Sequence, residues 1–213
     1  INNRNRLFHL RKLLEFLKKK KFKNIIIIDN QSTYMPLINF YKNNNYKVIK
    51  LQKNLGYLSL WKINFFNNIK DSFYIYTDPD ILPIDDCPDD FLEYFKSILI
   101  KDPKIEKVGF GLKIDDLPNN ENSKKVIENE NKFWLKKYNY IDNLYNAAID
   151  TTFALYKPNT FGGYWLNSVR SDYPYLARHL SWYDNNDKVE DEFYLKNIKK
   201  NSSFYTSNRF RKY

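Results

Sequence analysis

The chain has 213 residues and a formal net charge of +10, and 43% of its residues are apolar and 18% aromatic. This length suits one large domain with a substantial core. The single cysteine, Cys87, excludes an internal disulfide framework and a cysteine-rich zinc site. No apolar run reaches the roughly 18–20 residues that a membrane-spanning helix needs. The positive charge favours an anionic partner, such as a nucleic acid, an acidic membrane surface or a phosphorylated substrate, although lysine and asparagine are abundant throughout.

The first half of the chain alternates between helical and strand patterns. In chain order, the patterns predict a loop or strand tail over 1–5, a helix over 6–21, a strand over 24–30, a helix over 35–44, a strand over 46–51, a helix over 57–69 and a strand from 73 to 77. Four consecutive isoleucines at 25–28 are typical of a strand that is buried on both faces. This alternation predicts an α/β fold with a mainly parallel central sheet flanked by helices.

The second half is more varied. In chain order, we expect a helix over 89–101, a strand over 107–114, a polar and mobile excursion over 119–131, an aromatic cluster within 132–147, a strand over 150–156, a loop-rich stretch over 161–178 and a short acidic helix over 190–198. No repeat or low-complexity linker divides the chain. We therefore predict one domain over residues 1–213.

Two carboxylates follow the strand at 73–77 directly. Asp78 and Asp80 are separated by Pro79, which stiffens the turn by fixing its own φ angle. Hard divalent cations prefer oxygen ligands, and Mg²⁺ and Mn²⁺ sites typically use one or two carboxylates together with substrate phosphates. The Asp-x-Asp pattern alone is also common in ordinary turns. Its place after a buried strand favours a metal site.

Other polar residues follow the neighbouring predicted strands. Asp29 ends the isoleucine strand, and Asn54 follows the strand over 46–51. In open α/β sheets, ligands bind outside the carboxyl ends of the strands. We therefore expect these residues to share one edge of the sheet with Asp78 and Asp80.

An ordered set of motifs resembles the GT-A type glycosyltransferases, in the broad neighbourhood of the family-2-like enzymes. The motifs are Ile25-Ile26-Ile27-Ile28-Asp29-Asn30-Gln31-Ser32, Asn54-Leu55-Gly56, Thr77-Asp78-Pro79-Asp80, Gly111-Leu112-Lys113-Ile114-Asp115-Asp116-Leu117-Pro118, Ile149-Asp150-Thr151-Thr152-Phe153-Ala154-Leu155-Tyr156 and Arg178-His179-Leu180-Ser181-Trp182-Tyr183. The resemblance implies a single-domain, Rossmann-like GT-A fold. Its nucleotide-binding half would cover about residues 1–85, and its acceptor-binding half about 86–213.

The resemblance also implies roles for particular residues. A nucleotide-diphospho-sugar would be bound by Asn3, Arg4, Asp29, Asn54, Gly56 and Asp78, and the loop that would touch the nucleotide runs from Asn2 to Arg4. A divalent ion, Mn²⁺ or Mg²⁺, would be held by Asp80, with Asp78 and His179 as further ligands. The first strand of the family pattern lies largely before Ile1, so the assignments at residues 3 and 4 depend on little sequence.

The base that would take a proton from the acceptor stays open. An inverting transfer needs one carboxylate for that step, and the candidates are Asp150, Asp116 and Asp115, with Asp191 and Glu192 behind them. Asp150 ranks first because it opens a predicted strand beside aromatic residues. A retaining transfer needs no such base.

Each of these residues also has a purely structural interpretation. Asp29 and Asp150 could cap backbone amides, and His179 could be an ordinary half-buried histidine. The side chains of Trp134, Trp165 and Trp182 could stack on sugars or belong to the core.

Four functions therefore compete, and one of them, a catalytically inactive sugar-binding domain, is disfavoured by the intact Asp-x-Asp pattern. The leading hypothesis is a metal-dependent glycosyltransferase that uses a UDP-sugar, such as UDP-glucose, and a glycan acceptor that is free, lipid-linked or protein-linked. The alternatives are a nucleotidyltransferase and a basic nucleic-acid-binding module, although a central carboxylate pair disfavours nucleic acid. We expect a cytoplasmic location, with peripheral contact to a membrane surface as a further option, and further domains of a longer chain are also an option.

Overall fold

The computed structural model describes residues 1–162, 167–183 and 187–198. It is a mixed α/β structure, which confirms the predicted class. The α-helices are α1 (Leu7–Lys19), α2 (Met35–Lys42), α3 (Phe91–Lys101), α4 (Glu121–Asn131) and α5 (Lys188–Asn197). The strands are β1 (Asn2–Asn3), β2 (Ile26–Asp29), β3 (Lys47–Lys50), β4 (Tyr74–Tyr76), β5 (Ile81–Pro83), β6 (Lys107–Leu112), β7 (Leu144–Asn146), β8 (Ala154–Tyr156) and β9 (Ser168–His179).

The smaller sheet is parallel and has the order β1-β2-β3. Its register pairs Asn3 with Asp29, and Asp29 with Lys50. The apolar face of α1 packs on this sheet and on α2, with Leu10 and Leu37 completely buried. The register aligns the last residues of β1 and β2, Asn3 and Asp29, and both of these residues are polar.

The larger sheet is mixed and has the order β4-β8-β6-β9-β5, with β7 paired to β9. The β6–β9 pair is parallel, whereas β4–β8, β6–β8, β5–β9 and β7–β9 are antiparallel. Strand β9 pairs with β7 near its start and with β5 at its end. Phenylalanines of α3 and this sheet (Phe91, Phe95, Phe110 and Phe153) form the centre of the main core.

A backbone hydrogen bond links the two sheets. The amide of Asn2 in β1 donates to the carbonyl of Thr77, just beyond β4, at 2.9 Å. This contact brings the ends of β1 and β4 side by side. The polar residues after β4 and those at the ends of β1 and β2 therefore lie at one edge.

The expectation of a mainly parallel central sheet was wrong for the larger sheet. Its strands β4, β8 and β6 form an antiparallel series, because β8 runs between two strands that both run the opposite way. Parallel pairing is confined to β1-β2-β3 and to the β6–β9 pair. The sequence pattern identified strands but carried no information on which of them are neighbours.

Four local predictions also need correction. The stretch 57–69 forms two short 3₁₀ helices, Ser59–Lys62 and Asn64–Asn68, separated by the extended residue Ile63. Residues 119–131 contain helix α4, which Asn120 caps through its side chain. Most of the predicted loop over 161–178 is strand β9, and residues 163–166 of it lie outside the described residues. The strand expected to open at Asp150 begins only at Ala154.

Over the described ranges, no helix combines the length and the apolar character that crossing a bilayer requires.

Candidate functional site

The two carboxylates lie in the tight connection between β4 and β5. Its backbone is tied to two other segments: the amide of Asp78 donates to the carbonyl of Thr151 at 2.9 Å, and the amide of Leu180 donates to the carbonyl of Asp80 at 2.7 Å. Pro79 between them is buried. Contacts from both sides therefore hold the Asp-x-Asp turn rigidly.

The side chain of Asp78 is engaged by the protein at both oxygens. The hydroxyl of Thr151 donates to Oδ2, and the side-chain amide of Asn2 donates to Oδ1 at 3.4 Å. Burial and the neighbouring charge of Asp80 raise the pKa of Asp78 well above its usual range. A positive ion at this position would relieve that electrostatic cost.

The side chain of Asp80 faces the end of β9. Strand β5 pairs with β9 in a register that places Ile81 opposite His179. As a result, Nε2 of His179 lies 3.6 Å from Oδ2 of Asp80, and the hydroxyl of Ser181 donates to the same oxygen. Burial alone would raise the pKa of Asp80, but His179 and His9, together with the Ser181 hydrogen bond, hold it at about 2. Asp80 is therefore an ionised, partly buried carboxylate beside an imidazole.

One carboxylate and one imidazole are too few to hold a divalent ion alone, so an ion bound here would need a ligand to complete its shell. Nδ1 of His179 is buried and has no hydrogen-bond partner within the described ranges, so the protein leaves a polar atom of this ring unpaired. Over residues 1–162, 167–183 and 187–198, no group of three or more His, Cys, Asp or Glu side chains has the arrangement of a metal site. One carboxylate and one imidazole, completed by phosphate oxygens, suit Mn²⁺ better than Mg²⁺, because imidazole is a ligand of transition ions.

A second group of buried polar atoms lies at the ends of β1 and β2. The side-chain amide of Asn3 donates to the hydroxyl of Tyr41 at 2.8 Å. Burial, together with the nearby charge of Asp29, raises the pKa of Tyr41. Oδ1 of Asn3 is buried without a partner in the part of the chain that the structure describes, whereas the hydroxyl of Tyr41 lies within hydrogen-bonding reach of the Asp29 carboxylate. A buried acceptor without a donor costs about 1–3 kcal/mol. A ligand with N–H or O–H groups would remove that cost.

Hydrogen bonds connect the acid pair to the turn at residues 54–56. Asn2, which contacts Asp78, accepts from Asn30 at 3.4 Å and from the hydroxyl of Ser59 at 2.8 Å. The side chain of Asn30 in turn donates to the carbonyl of Gly56 at 2.8 Å and accepts from the amide of Leu55 at 2.7 Å. A continuous polar chain therefore runs from the carboxylates to this turn.

The turn itself needs a glycine. Gly56 has φ +80°, a left-handed conformation that strains any residue with a Cβ atom. Its amide donates to the side chain of Asn54 at 2.9 Å. The two residues that the motif pointed to thus form one ordered turn, although neither contacts Asp80 directly among the contacts that the structure describes.

The basic residues near the start of the chain have different surroundings. Arg4 is half-buried, and its Nε atom has no hydrogen-bond partner in the described segments. Arg6 forms a buried ion pair with Asp191, and the carboxylate of Glu190 accepts from the amide of Leu7 at 2.6 Å. Asp191 therefore anchors α5 to the start of α1.

The three remaining carboxylate candidates differ in their partners. Asp150 is exposed, precedes Thr151 directly, and accepts from the amide of that residue at 2.6 Å. Asp116 accepts from Arg178 at 2.6 Å and from the hydroxyl of Tyr183 at 2.6 Å, and Asp115 pairs with Lys113. Asp150 lies close enough to Asp78 for its charge to raise the pKa of that carboxyl, and it interacts electrostatically with Lys107. Its bond to the Thr151 amide is the structural role that the sequence also allowed, and its rank as a base stays a prediction.

Three side chains fix the backbone that leads to Asp150 and Thr151. Ser168 donates to the carbonyl of Ala147 at 2.8 Å and Arg170 to that of Ala148 at 3.0 Å, and the buried Lys107 donates to the carbonyl of Ile149. Burial lowers the pKa of Lys107 to about 8. Strands β6 and β9 thus hold this loop through consecutive carbonyl groups.

The tryptophans are mainly packing residues. Trp182 is buried, with its ring centroid 4.6 Å from that of His179, and Trp134 packs on Tyr145. Trp165 lies outside the described residues. The described tryptophans therefore support the imidazole and the core.

Sequence reasoning gave no role to three polar residues of the site, namely Asn30, Thr151 and Ser181. Thr151 and Ser181 belonged to the quoted motifs, and Ser181 follows His179 by two residues, the spacing that also separates Asp78 and Asp80. The resemblance placed Asn2 in the loop that would touch the nucleotide, but its contact with Asp78 was missed because it depends on a backbone hydrogen bond between β1 and the end of β4.

No protein-family model matches the chain, and no curated protein sequence matches it at a significant level.

Proposed function

We propose that the protein is a metal-dependent glycosyltransferase of the GT-A type. It would move a sugar from a nucleotide-diphospho-sugar, with a UDP-sugar such as UDP-glucose favoured, to a glycan acceptor that is free, lipid-linked or protein-linked. The observation that carries the proposal is the contact of 3.6 Å between Asp80 and His179. These residues come from distant parts of the chain and meet at the edge where β1 and β2 also end.

Asp80 and His179 would hold Mn²⁺ or Mg²⁺, which, when bound, stabilises the negative charge that grows on a departing diphosphate. Asp78 would act mainly through its charge, because both of its oxygens already accept hydrogen bonds from Asn2 and Thr151. Because backbone contacts hold the turn in place, the carboxylates would already be positioned when the substrate binds, which lowers the cost of reorganisation.

The nucleoside would lie toward β1 and β2. Support comes from the unpaired buried oxygen of Asn3, which needs a hydrogen-bond donor, and a base and a ribose supply such donors. The ordered turn at Asn54 and Gly56 would border the same pocket, since Asn30 and Asn2 connect it to the carboxylates. Arg4, which is half-buried and follows Asn3 directly in the sequence, would add positive charge for the diphosphate.

Asp150 would take the proton of the acceptor hydroxyl in an inverting transfer. It is exposed, and its neighbour Thr151 bonds Asp78, so it is close to the carboxylates and open to an incoming acceptor. Asp116 is the weaker candidate, because Arg178 and Tyr183 already hold its carboxylate.

Calorimetric titration of UDP, GDP and dTDP tests this function. We expect one nucleoside diphosphate to bind in the presence of Mn²⁺, to lose most of its affinity in EDTA, and to permit slow hydrolysis of the matching sugar nucleotide. Asp80→Ala should abolish the metal-dependent part of the binding. The matched control is Asp71→Ala, which removes an exposed carboxylate that precedes β4.

The competing functions give different results in the same experiment. A nucleotidyltransferase would bind a nucleoside triphosphate more tightly than any diphosphate and release pyrophosphate. A nucleic-acid-binding module would bind no nucleotide but would bind RNA or DNA with an affinity that falls steeply with salt. Either result would refute the transferase proposal.

A further inference from the structure

A groove of about 610 Å³ lies apart from the acid pair. Its walls include two tyrosines, Tyr138 and Tyr140, whose ring centroids are 5.6 Å apart at an interplanar angle of 64°. The side chain of Tyr140 is 76% exposed, an unusual degree for a large aromatic ring. The volume of the groove lies within the range of about 300–1,000 Å³ that is usual for small-molecule sites.

The sheet register places this groove at the opposite edge of the larger sheet. Its lining residues lie just before β6, before and at the end of β7, and at the start of β9, where Ser168 pairs with Lys107. Across β6, β8 and β4, this is the level at which Lys107, Tyr156 and Tyr74 are paired. Asp78 lies two residues beyond the end of β4 and four residues after Tyr74, roughly 13 Å of extended chain. A ligand in the groove would therefore lie apart from the acid pair, although Ala148 in its wall is only two residues from Asp150.

The chemistry of the lining indicates the class of ligand. One carboxylate, Asp102, and one ammonium group, Lys104, leave the groove without a net charge, and Asn146 and Asn167 add exposed amide side chains. The hydroxyl of Tyr138 donates to Asp102, which holds that ring in place. An exposed aromatic face beside planar amides suits a neutral ring that has an apolar face and a rim of hydroxyl groups. Saccharides have both features, whereas phosphate groups would need an excess of positive charge.

We infer that this groove is a second saccharide-binding site, with Tyr140 as the stacking platform. It holds neutral oligosaccharide chains and does not take part in transfer. The inference goes beyond the proposed transferase activity, because binding in the groove needs neither the metal nor the nucleotide. The site would keep a glycan chain close to the protein while chemistry proceeds at the acid pair.

Ligand-observed NMR and calorimetry with a panel of neutral tetrasaccharides, such as cello-, malto-, manno- and chitotetraose, test the inference without metal or nucleotide. We expect millimolar binding of at least one of them. Tyr140→Ala should weaken it about tenfold, since about 1.4 kcal/mol of lost apolar contact corresponds to that factor. Tyr140→Phe keeps the ring and should keep the affinity.

Two control variants separate the groove from other surfaces. Tyr173→Ala removes a different exposed tyrosine, and Asp80→Asn alters the acid pair; both should bind the tetrasaccharide as the wild type does. Binding that survives Tyr140→Ala, binding that Asp80→Asn abolishes, or no binding of any tetrasaccharide by the wild type would each overturn the inference. Far-UV circular dichroism of each variant confirms that it is folded.

Discussion

Two regions of the molecule carry a pair of aspartates just after a strand of the larger sheet. Asp78 and Asp80 follow β4, and Asp115 and Asp116 come three residues after β6. At the second pair, fixed cations neutralise both carboxylates: Lys113 pairs with Asp115, and Arg178 pairs with Asp116.

At the first pair the compensation is weaker, because imidazoles and not a paired lysine or arginine stabilise the charge of Asp80 within the described residues. Within the described residues, neither Asp78 nor Asp80 forms an ion pair with a lysine or an arginine; the partners of these carboxylates are hydroxyls, an amide and the imidazole of His179. A carboxylate that a protein cation already pairs gains little from a metal ion. The comparison therefore teaches that the partners of an acid pair, more than its spacing, decide whether it can hold an exchangeable cation.

The largest difference should appear when one aspartate in each region is replaced by asparagine. Asp80→Asn should lower transfer activity about 1,000-fold, because a metal ion contributes several kcal/mol to transition-state stabilisation and each 1.4 kcal/mol is a factor of ten. Asp115→Asn, which removes an exposed and salt-bridged carboxylate, should leave activity within about twofold, since surface ion pairs contribute about 0–1 kcal/mol. Steady-state kinetics over a range of Mn²⁺ concentrations measures both. Equal losses in the two variants would remove the distinction between the regions.

The next effect separates the two candidate bases. Asp150→Asn should lower kcat about 100-fold, as expected for loss of a general base, with the affinity for nucleotide and Mn²⁺ unchanged. Asp116→Asn should lower kcat only severalfold, because Arg178 and Tyr183 already occupy that carboxylate. Unchanged kcat in both variants would indicate a transfer without such a base, as in a retaining mechanism.

A smaller effect should follow from removing one hydroxyl beside Asp78. Thr151→Val keeps the shape of the side chain but removes the donor to Oδ2 of Asp78. We expect activity to fall about tenfold, because a hydrogen bond to a charged group contributes about 1.5–3 kcal/mol. Thr151→Ser restores the donor and should restore most of the activity. A Val variant as active as the wild type would show that this bond has no role in positioning Asp78.

Parts of this site could be predicted from sequence because they depend on local patterns. The isoleucine run at 25–28 identified β2, and the break after β4 identified Asp78 and Asp80. The pairing of Asp80 with His179 was proposed only from a family resemblance, since nothing local connects the two residues. Their contact depends on the register between β5 and β9.

The missed elements have physical explanations as well. Strand β9 contains Arg170, Asp172 and Pro174, which are typical of loops, yet it pairs on both sides and the charge of Arg170 is compensated by Glu130 at 2.8 Å. Helix α4 is almost entirely polar, and of its apolar side chains Val126 is completely buried. Tertiary contacts override local patterns in both cases.

The smallest effect concerns the support of the loop that carries Thr151. Burial lowers the pKa of Lys107 from 10.5 to about 8, so between these values the unfolded chain holds a proton that the folded chain has released. Wild-type stability should therefore rise as the pH rises through this window. Lys107→Met should remove this contribution, which chemical denaturation at pH 7.5, 8.5 and 9.5 would measure. The same pH dependence in the variant would show that Lys107 does not cause it.

Electron spin-echo envelope modulation of Mn²⁺ bound together with the preferred nucleoside diphosphate tests the joint role of Asp80 and His179 most directly. This method detects a ¹⁴N nucleus bound to the manganese ion. We expect nitrogen modulation in the wild type, its loss in His179→Gln with weaker Mn²⁺ binding, and its retention in the control variant His9→Gln. Tightly bound Mn²⁺ without nitrogen modulation, or modulation that survives in His179→Gln, would contradict the proposed metal site.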